Sequence, residues 1–206
     1  LVSDALYDKM RSTPLLKQKI YYKVNYLTGD AANTAILQAW NAGTAIITFS
    51  GHASWHQWGG RTYDPVSNEI LFQYHADPAI SDLDDLVNGY KLPAVLEFTC
   101  ETSRFDTPGF DTLDELLVRK SNGGAIFTFG PSSPGSGGSQ KMLGQGFIGN
   151  LPGGTATAGT AMNAAKLYLY QNDPTYYLVD TYLVLGDPAV RIQVETTALN
   201  QKSYLP

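Results

Sequence analysis

The chain has one cysteine, Cys100, among its 206 residues. A disulfide framework and a cysteine-based zinc cluster are therefore excluded, since each needs several thiols. Charge is scarce too. Asp, Glu, Lys and Arg make up 16% of the chain, below the roughly 25% of ordinary globular proteins. No basic block occurs, and 14 Lys plus Arg against 19 Asp plus Glu leave a net charge of −5. That balance argues against nucleic-acid binding, which needs clustered Lys and Arg to displace counterions. No apolar run approaches the ~20 residues of a membrane helix. No basic start followed by an apolar stretch is visible. There is no internal repeat, no nucleotide P-loop and no Gly-x-Ser-x-Gly elbow. What is present is 43% hydrophobic residues, 20 Gly and 13 Tyr. This composition predicts one domain with a real core and a polar, weakly charged, loop-rich surface.

Short segments rich in β-branched and aromatic residues read as buried strands. They are residues 20–24, 44–49, 93–99 and 124–129, with 189–194 as a further candidate. Helical patterns lie at 3–10, 30–42, 81–87, 112–120 and 161–170. Several end at glycine, as Asp30–Ala42 does at Gly43. Alternating strands and helices predict an α/β fold, a parallel-rich sheet with helices on both faces. Ligands in such sheets bind beyond the carboxyl ends of the strands, so the residues after each strand are where chemistry is expected.

Those residues are distinctive. The 44–49 strand runs into Ser50-Gly51-His52-Ala53-Ser54-Trp55-His56. The 93–99 strand runs into Cys100-Glu101-Thr102-Ser103-Arg104. The 124–129 strand runs into a Gly/Ser loop from Gly130 to Gly138. A thiol needs an imidazole nearby to raise its thiolate fraction and to protonate a leaving amine. Cys100 and His52 on adjacent strand ends meet that need, with the Cys100 and Ala53 N–H groups as oxyanion donors. The competing reading is that Cys100 is a small buried apolar residue, as most single cysteines are.

The run Val95-Leu96-Glu97-Phe98-Thr99-Cys100-Glu101-Thr102-Ser103-Arg104-Phe105-Asp106, with Gly51-His52 upstream, resembles the gingipain family of cysteine peptidases in the caspase-like clan. Ser121-Asn122-Gly123-Gly124-Ala125 and the closing Leu185-Gly186-Asp187-Pro188 resemble further motifs of that family. The likeness runs from about Ser3 to Val194. It implies a caspase-like three-layer α/β/α domain over residues 1–194, followed by a polar tail or the start of another module over 195–206. It also implies Cys100 as nucleophile, His52 as acid/base and an oxyanion donor from Ala53, in an endopeptidase acting through an acyl-enzyme. Protein or peptide substrates, and a propeptide or an N-terminal segment preceding Leu1 as partner, follow from the same resemblance. So does a secreted or cell-surface location in a bacterium or archaeon. One departure is Gly51-His52-Ala53 where the family has Gly-His-Gly. If the second glycine's freedom is needed, the oxyanion hole is distorted and the chain becomes a non-catalytic peptide-binding or structural module.

Trp55, Trp58, Tyr63, Phe129, Ser132 and Ser133 are the candidates for walling a substrate pocket. The aromatics have an alternative role as core cover. Asp4, Asp64 and Glu101 are the carboxylates that could receive a basic substrate side chain. No cofactor or catalytic metal is expected. His52 and His56 are spaced i, i+4, but in a Gly-flanked loop without an intervening Glu. Asp64, Asp77, Asp82 and Asp106 could bind a structural calcium, or serve as helix caps and turn residues. Gly144-Gln145-Gly146-Phe147-Ile148-Gly149 matches a dinucleotide fingerprint literally, but it follows a loop rather than a strand and is discounted.

Overall fold

The computed structural model describes residues 2–10, 17–60, 69–152 and 154–192. A central sheet runs in the order β1 (Ile46–Ser50), β5 (Ala94–Phe98), β6 (Phe127–Pro131) and β7 (Tyr182–Gly186). The first three are parallel, and β7 closes the sheet antiparallel to β6. A small antiparallel sheet of β2 (Ala53–Ser54), β3 (Gln57–Gly59) and β4 (Ile70–Gln73) leaves the end of β1.

The alternation of β5 decides the layers. Ala94, Leu96 and Phe98 join Phe127 and Phe129 on one face, under α1 (Val2–Lys9), α4 (Gly137–Gly149) and α5 (Ala158–Asn172). Val95 turns to the other face, with Trp40 of α2 (Gly29–Gly43), Leu113 and Leu117 of α3 (Leu113–Arg119), and Trp58 and Phe72 of the small sheet. Every residue of β5 is buried, as expected for an inner strand of a covered sheet. The result is the expected three-layer α/β/α arrangement. A short helix, α6 (Leu178–Thr181), leads directly into β7.

The turn before β6 shows why Asn122-Gly123-Gly124 is needed. Gly124 has φ +89°, and a Cβ there would collide with the Leu117 carbonyl. Its carbonyl accepts from Trp40 Nε1 at 3.0 Å and from Asn88 Nδ2 at 3.0 Å. Thr112 caps α3 with a reciprocal Glu115 bond.

Several elements differ from the sequence expectation. Residues 20–24 form a turn closed by a Tyr22–Tyr26 bridge, not a strand. Residues 81–87 hold only a 3₁₀ turn, Asp82–Asp85. The 189–194 segment makes one bridge, Arg191 to Thr157, and its residues 193–194 lie outside the described ones. The dinucleotide-like glycines fall inside helix α4. There Gly144 and Gly146 admit Leu6 and Ala165 at close range. The polar tail 195–206 is likewise outside the described residues.

Candidate active site

Strands β1 and β5 lie side by side and parallel, in register to their last pair, Ser50 opposite Phe98. Both chains therefore leave the sheet together. Gly51-His52 emerges next to Thr99-Cys100, although 48 residues separate His52 from Cys100 (100 − 52). A direct bond joins the two exits: Thr99 Oγ1 donates to the Gly51 carbonyl at 2.8 Å. The residue before each candidate is thus held against the other strand's exit.

The histidine side is fixed by the hairpin. The Gly59 N–H donates to the His52 carbonyl at 2.7 Å, which makes 52–59 a hydrogen-bonded pair. By the alternation of an antiparallel ladder, Ala53–Trp58 is the non-bonded pair, and the Ala53 N–H turns out of the hairpin. Ala53 belongs to strand β2 and is not among the non-glycine residues with positive φ. The backbone here does not call on glycine's extra freedom, so alanine fits without strain.

The cysteine side is fixed by a sharp turn. Cys100 is half-buried, and its Sγ lies 4.0 Å from the Gly135 carbonyl of the Gly/Ser loop. Glu101 follows with φ +62°, in the left-handed region that non-glycine residues rarely enter. The Glu101 N–H points at the Ser133 carbonyl, and the Ser103 N–H donates to the Pro131 carbonyl at 3.0 Å. Gln140, buried at the start of α4, donates its amide to the Thr99 carbonyl. The turn that carries Cys100 is therefore gripped from β6, from the Gly/Ser loop and from α4.

Beneath that turn is a group the sequence reading passed over. Glu97, three residues before Cys100, and Asp114 of α3 are both fully buried. Burial pushes the Glu97 carboxyl well above its ordinary range, and the neighbouring Asp114 adds to the effect. Burial raises Asp114 as well. Glu97 accepts from Trp58 Nε1 and from Thr102 Oγ1, the latter at 2.8 Å, and Ser103 Oγ donates to Asp114. The available signal was a Glu at an inward position of a strand otherwise entirely apolar from Ala94 to Phe98.

The candidate pocket residues divide. Trp55 is half-buried beside His56 and the exposed Phe110, with ring centroids 4.3 and 5.2 Å away. Ser132 and Ser133 are half-buried in the loop facing Cys100, and the Ser132 hydroxyl donates to the Thr181 carbonyl. Trp58 and Phe129 are corrections to the sequence reading. Trp58 is 2% exposed, stacked on Phe49 at 4.6 Å, and Phe129 is 0% exposed against Phe147 and Tyr182. Both point into the core because alternation along their strands leaves them no open face. Tyr63 lies outside the described residues, as does Asp64.

The other polar candidates are occupied locally. Asp4 pairs with Lys19 at 2.9 Å and accepts from Tyr21. Glu101 pairs with Arg104 at 3.0 Å. Asp77 accepts from the Ala79 N–H, Asp82 from the Gln73 N–H, and Asp106 lies 3.8 Å from Arg104. Among the described residues no three of His, Cys, Asp and Glu converge as a metal site. His56 is held low, chiefly by burial and further by His75, and its Nδ1 meets Ser54 Oγ at 3.1 Å. No helix among the described residues is long and apolar enough to cross a membrane.

The sequence profile of peptidase family C25 matches residues 3–193. A complex of the pro- and mature domains of Porphyromonas gingivalis RgpB superposes with TM-score 0.72 at 18% identity, over 95% of this chain and 44% of that one. The arginine-specific cysteine proteinase gingipain R (RgpB) gives TM-score 0.68 at 16% identity, over 94% of this chain and 41% of that one. A structure described only as a protease gives 0.62 at 16%, over 94% and 53%. The chain spans less than half the length of the two gingipain chains it resembles. No curated protein sequence matches significantly. With the profile covering nearly the whole chain on a gingipain-like fold, this chain belongs to peptidase family C25, a family of cysteine peptidases.

Proposed function

We propose that the chain carries the catalytic Cys–His dyad of a cysteine endopeptidase. The single observation that supports this reading is the side-by-side exit of β1 and β5, with Thr99 bonded to Gly51, so that His52 and Cys100 each follow one of two neighbouring strand ends. Cys100 Sγ, as thiolate, attacks the carbonyl carbon of the scissile bond. The carbonyl oxygen takes up the charge, against the N–H groups of Ala53 and Cys100. The tetrahedral species collapses, the C–N bond breaks, and His52 gives its proton to the departing amine. Water then attacks the thioester, His52 takes a proton from it, and the thiolate leaves. The balance is one water consumed and one peptide bond cleaved. The chemistry draws on no cofactor.

Substrate peptide lies across the strand ends, between Trp55 on one side and the Ser132–Ser133 loop on the other. Asp4 and Glu101 are already neutralised by Lys19 and Arg104, so neither supplies an unopposed charge for a basic side chain. A propeptide is the partner this reading adds, by analogy with the RgpB complex of pro- and mature domains. A secreted or cell-surface location follows from the family likeness.

The test is labelling and cleavage together. Iodoacetamide should alkylate Cys100 quickly, and a mixed peptide library should be cut. Cys100→Ala should abolish both. His52→Ala should lower kcat by about 10²–10⁴, the usual contribution of a positioned acid/base. Slow labelling, or cleavage that survives Cys100→Ala, would refute the dyad. Fast labelling with no cleavage would indicate a retained site without turnover, the non-catalytic alternative.

A further inference from the structure

The buried carboxyl pair is the strongest feature that the dyad leaves unused. Glu97 and Asp114 come from different elements, β5 and α3, and their carboxyl oxygens converge on the same point beside Gly130 of β6. No described Lys, Arg or His forms an ion pair with either of them. Two buried like charges without a cation are not sustainable, and one of the pair must hold a proton.

The residues that contact the pair are those after the nucleophile. Thr102 donates to Glu97, and Ser103 donates to Asp114. Both are 0% exposed, so these bonds are not shared with bulk water. The Asp114 N–H also points at the Thr102 carbonyl. Gly130 of β6 makes the cluster possible. A Cβ there would stand 2.5 Å from Asp114 Oδ2, 2.8 Å from Ser103 Oγ and 2.9 Å from Glu97 Oε2.

We propose that Glu97 and Asp114 share a single proton and act as positioning residues, holding through Thr102 and Ser103 the turn that presents Cys100. The inference rests on the cysteine-peptidase reading of Cys100. Among the described residues, the groups facing the pair are Trp58 from β3, Thr128 from β6, Tyr182 from β7, and Thr102 and Ser103 from the turn. None is a cation. Loss of the shared proton at high pH therefore sets two charges against each other and loosens the turn.

The experiment uses the whole chain in three measurements. Infrared spectra at pH 7 should show a carboxylic-acid carbonyl band that Glu97→Gln removes. The double variant Thr102→Val/Ser103→Ala should lower both Cys100 alkylation and kcat by about tenfold, equivalent to about 1.4 kcal/mol, with KM unchanged. Ser103→Thr should retain the rate. Glu97→Gln should move the alkaline limb of the rate profile to higher pH, a shift that a purely structural role would not produce. Absence of the acid band at pH 7, or a double variant that alkylates like the parent, would overturn the inference. If the parent cleaves no peptide, the dyad reading fails, yet the band and the alkylation rates still decide the role of the pair.

Discussion

Thr99→Val isolates the bond that joins the two strand exits. Valine has nearly the shape of threonine, and Thr99 is fully buried, so packing is kept while one hydroxyl is lost. The lost bond is neutral and 2.8 Å long, worth about 1 kcal/mol of stability. For a chain of this size that lowers Tm by about 2–4 °C. The kinetic effect should be larger. A misplacement of about 1 Å between reacting groups can cost on the order of 10²-fold, so kcat/KM should fall by about 10- to 100-fold. Thr99→Ser keeps the donor and should recover most of the rate. The assay pairs thermal unfolding with steady-state peptide cleavage and with iodoacetamide labelling of Cys100. If Thr99→Val loses the expected stability but cleaves and labels like Thr99→Ser, the bond is merely structural and the positioning argument is wrong.

Other outcomes follow from the same geometry. Gly130→Ala should destabilise by about 1–3 kcal/mol through overpacking, read by denaturant titration, and should slow Cys100 labelling because Ser103 is displaced. Trp58→Phe keeps the ring in its stack but removes the donor to Glu97, so it should cost about 1–3 kcal/mol. Ala53→Gly should bring no gain in kcat, since the position is extended already, and a clear increase would show that the missing glycine mattered. Stability against pH should report the buried pair. Both carboxyls are raised in the folded chain, so folding retains a proton that the unfolded chain releases near its ordinary carboxyl pKa of about 4. Stability from the pair is full below that pH and declines as pH rises through the elevated folded values. The slope is about 1.4 kcal/mol per pH unit for one proton. Glu97→Gln should flatten this decline, and an unchanged slope would place the proton elsewhere.

The sheet was legible because its strands carry their signal in composition. Apart from Glu97 and Thr128, residues 94–98 and 127–129 are apolar, and they read as covered strands. Residues 20–24 have the same Tyr/Val richness, but Lys23 and Asn25 let the chain turn back on itself, so propensity lost to local hydrogen bonding. Strand β7 is not legible locally, because its end falls in the closing Leu185–Pro188 motif and its pairing with β6 is a long-range choice. The positions of His52 and Cys100 at strand ends could be inferred from the sequence. Burial of Trp58 and Phe129 could not, because a strand's register decides which aromatic faces outward and which faces the core. Glu97 was visible as a charge in an apolar strand, but its partner Asp114 is brought by a helix no local pattern could connect to it.

Glu101 holds a left-handed backbone that a glycine would adopt freely, and this costs the chain roughly 1–2 kcal/mol. Its exposed pair with Arg104 returns about 0–1 kcal/mol at most. Glu101→Gly is accordingly among the simplest routes to a sturdier protein, and it sits directly behind the sulfur. Selection for heat resistance alone would favour this change, and would slacken the backbone next to the thiol in doing so.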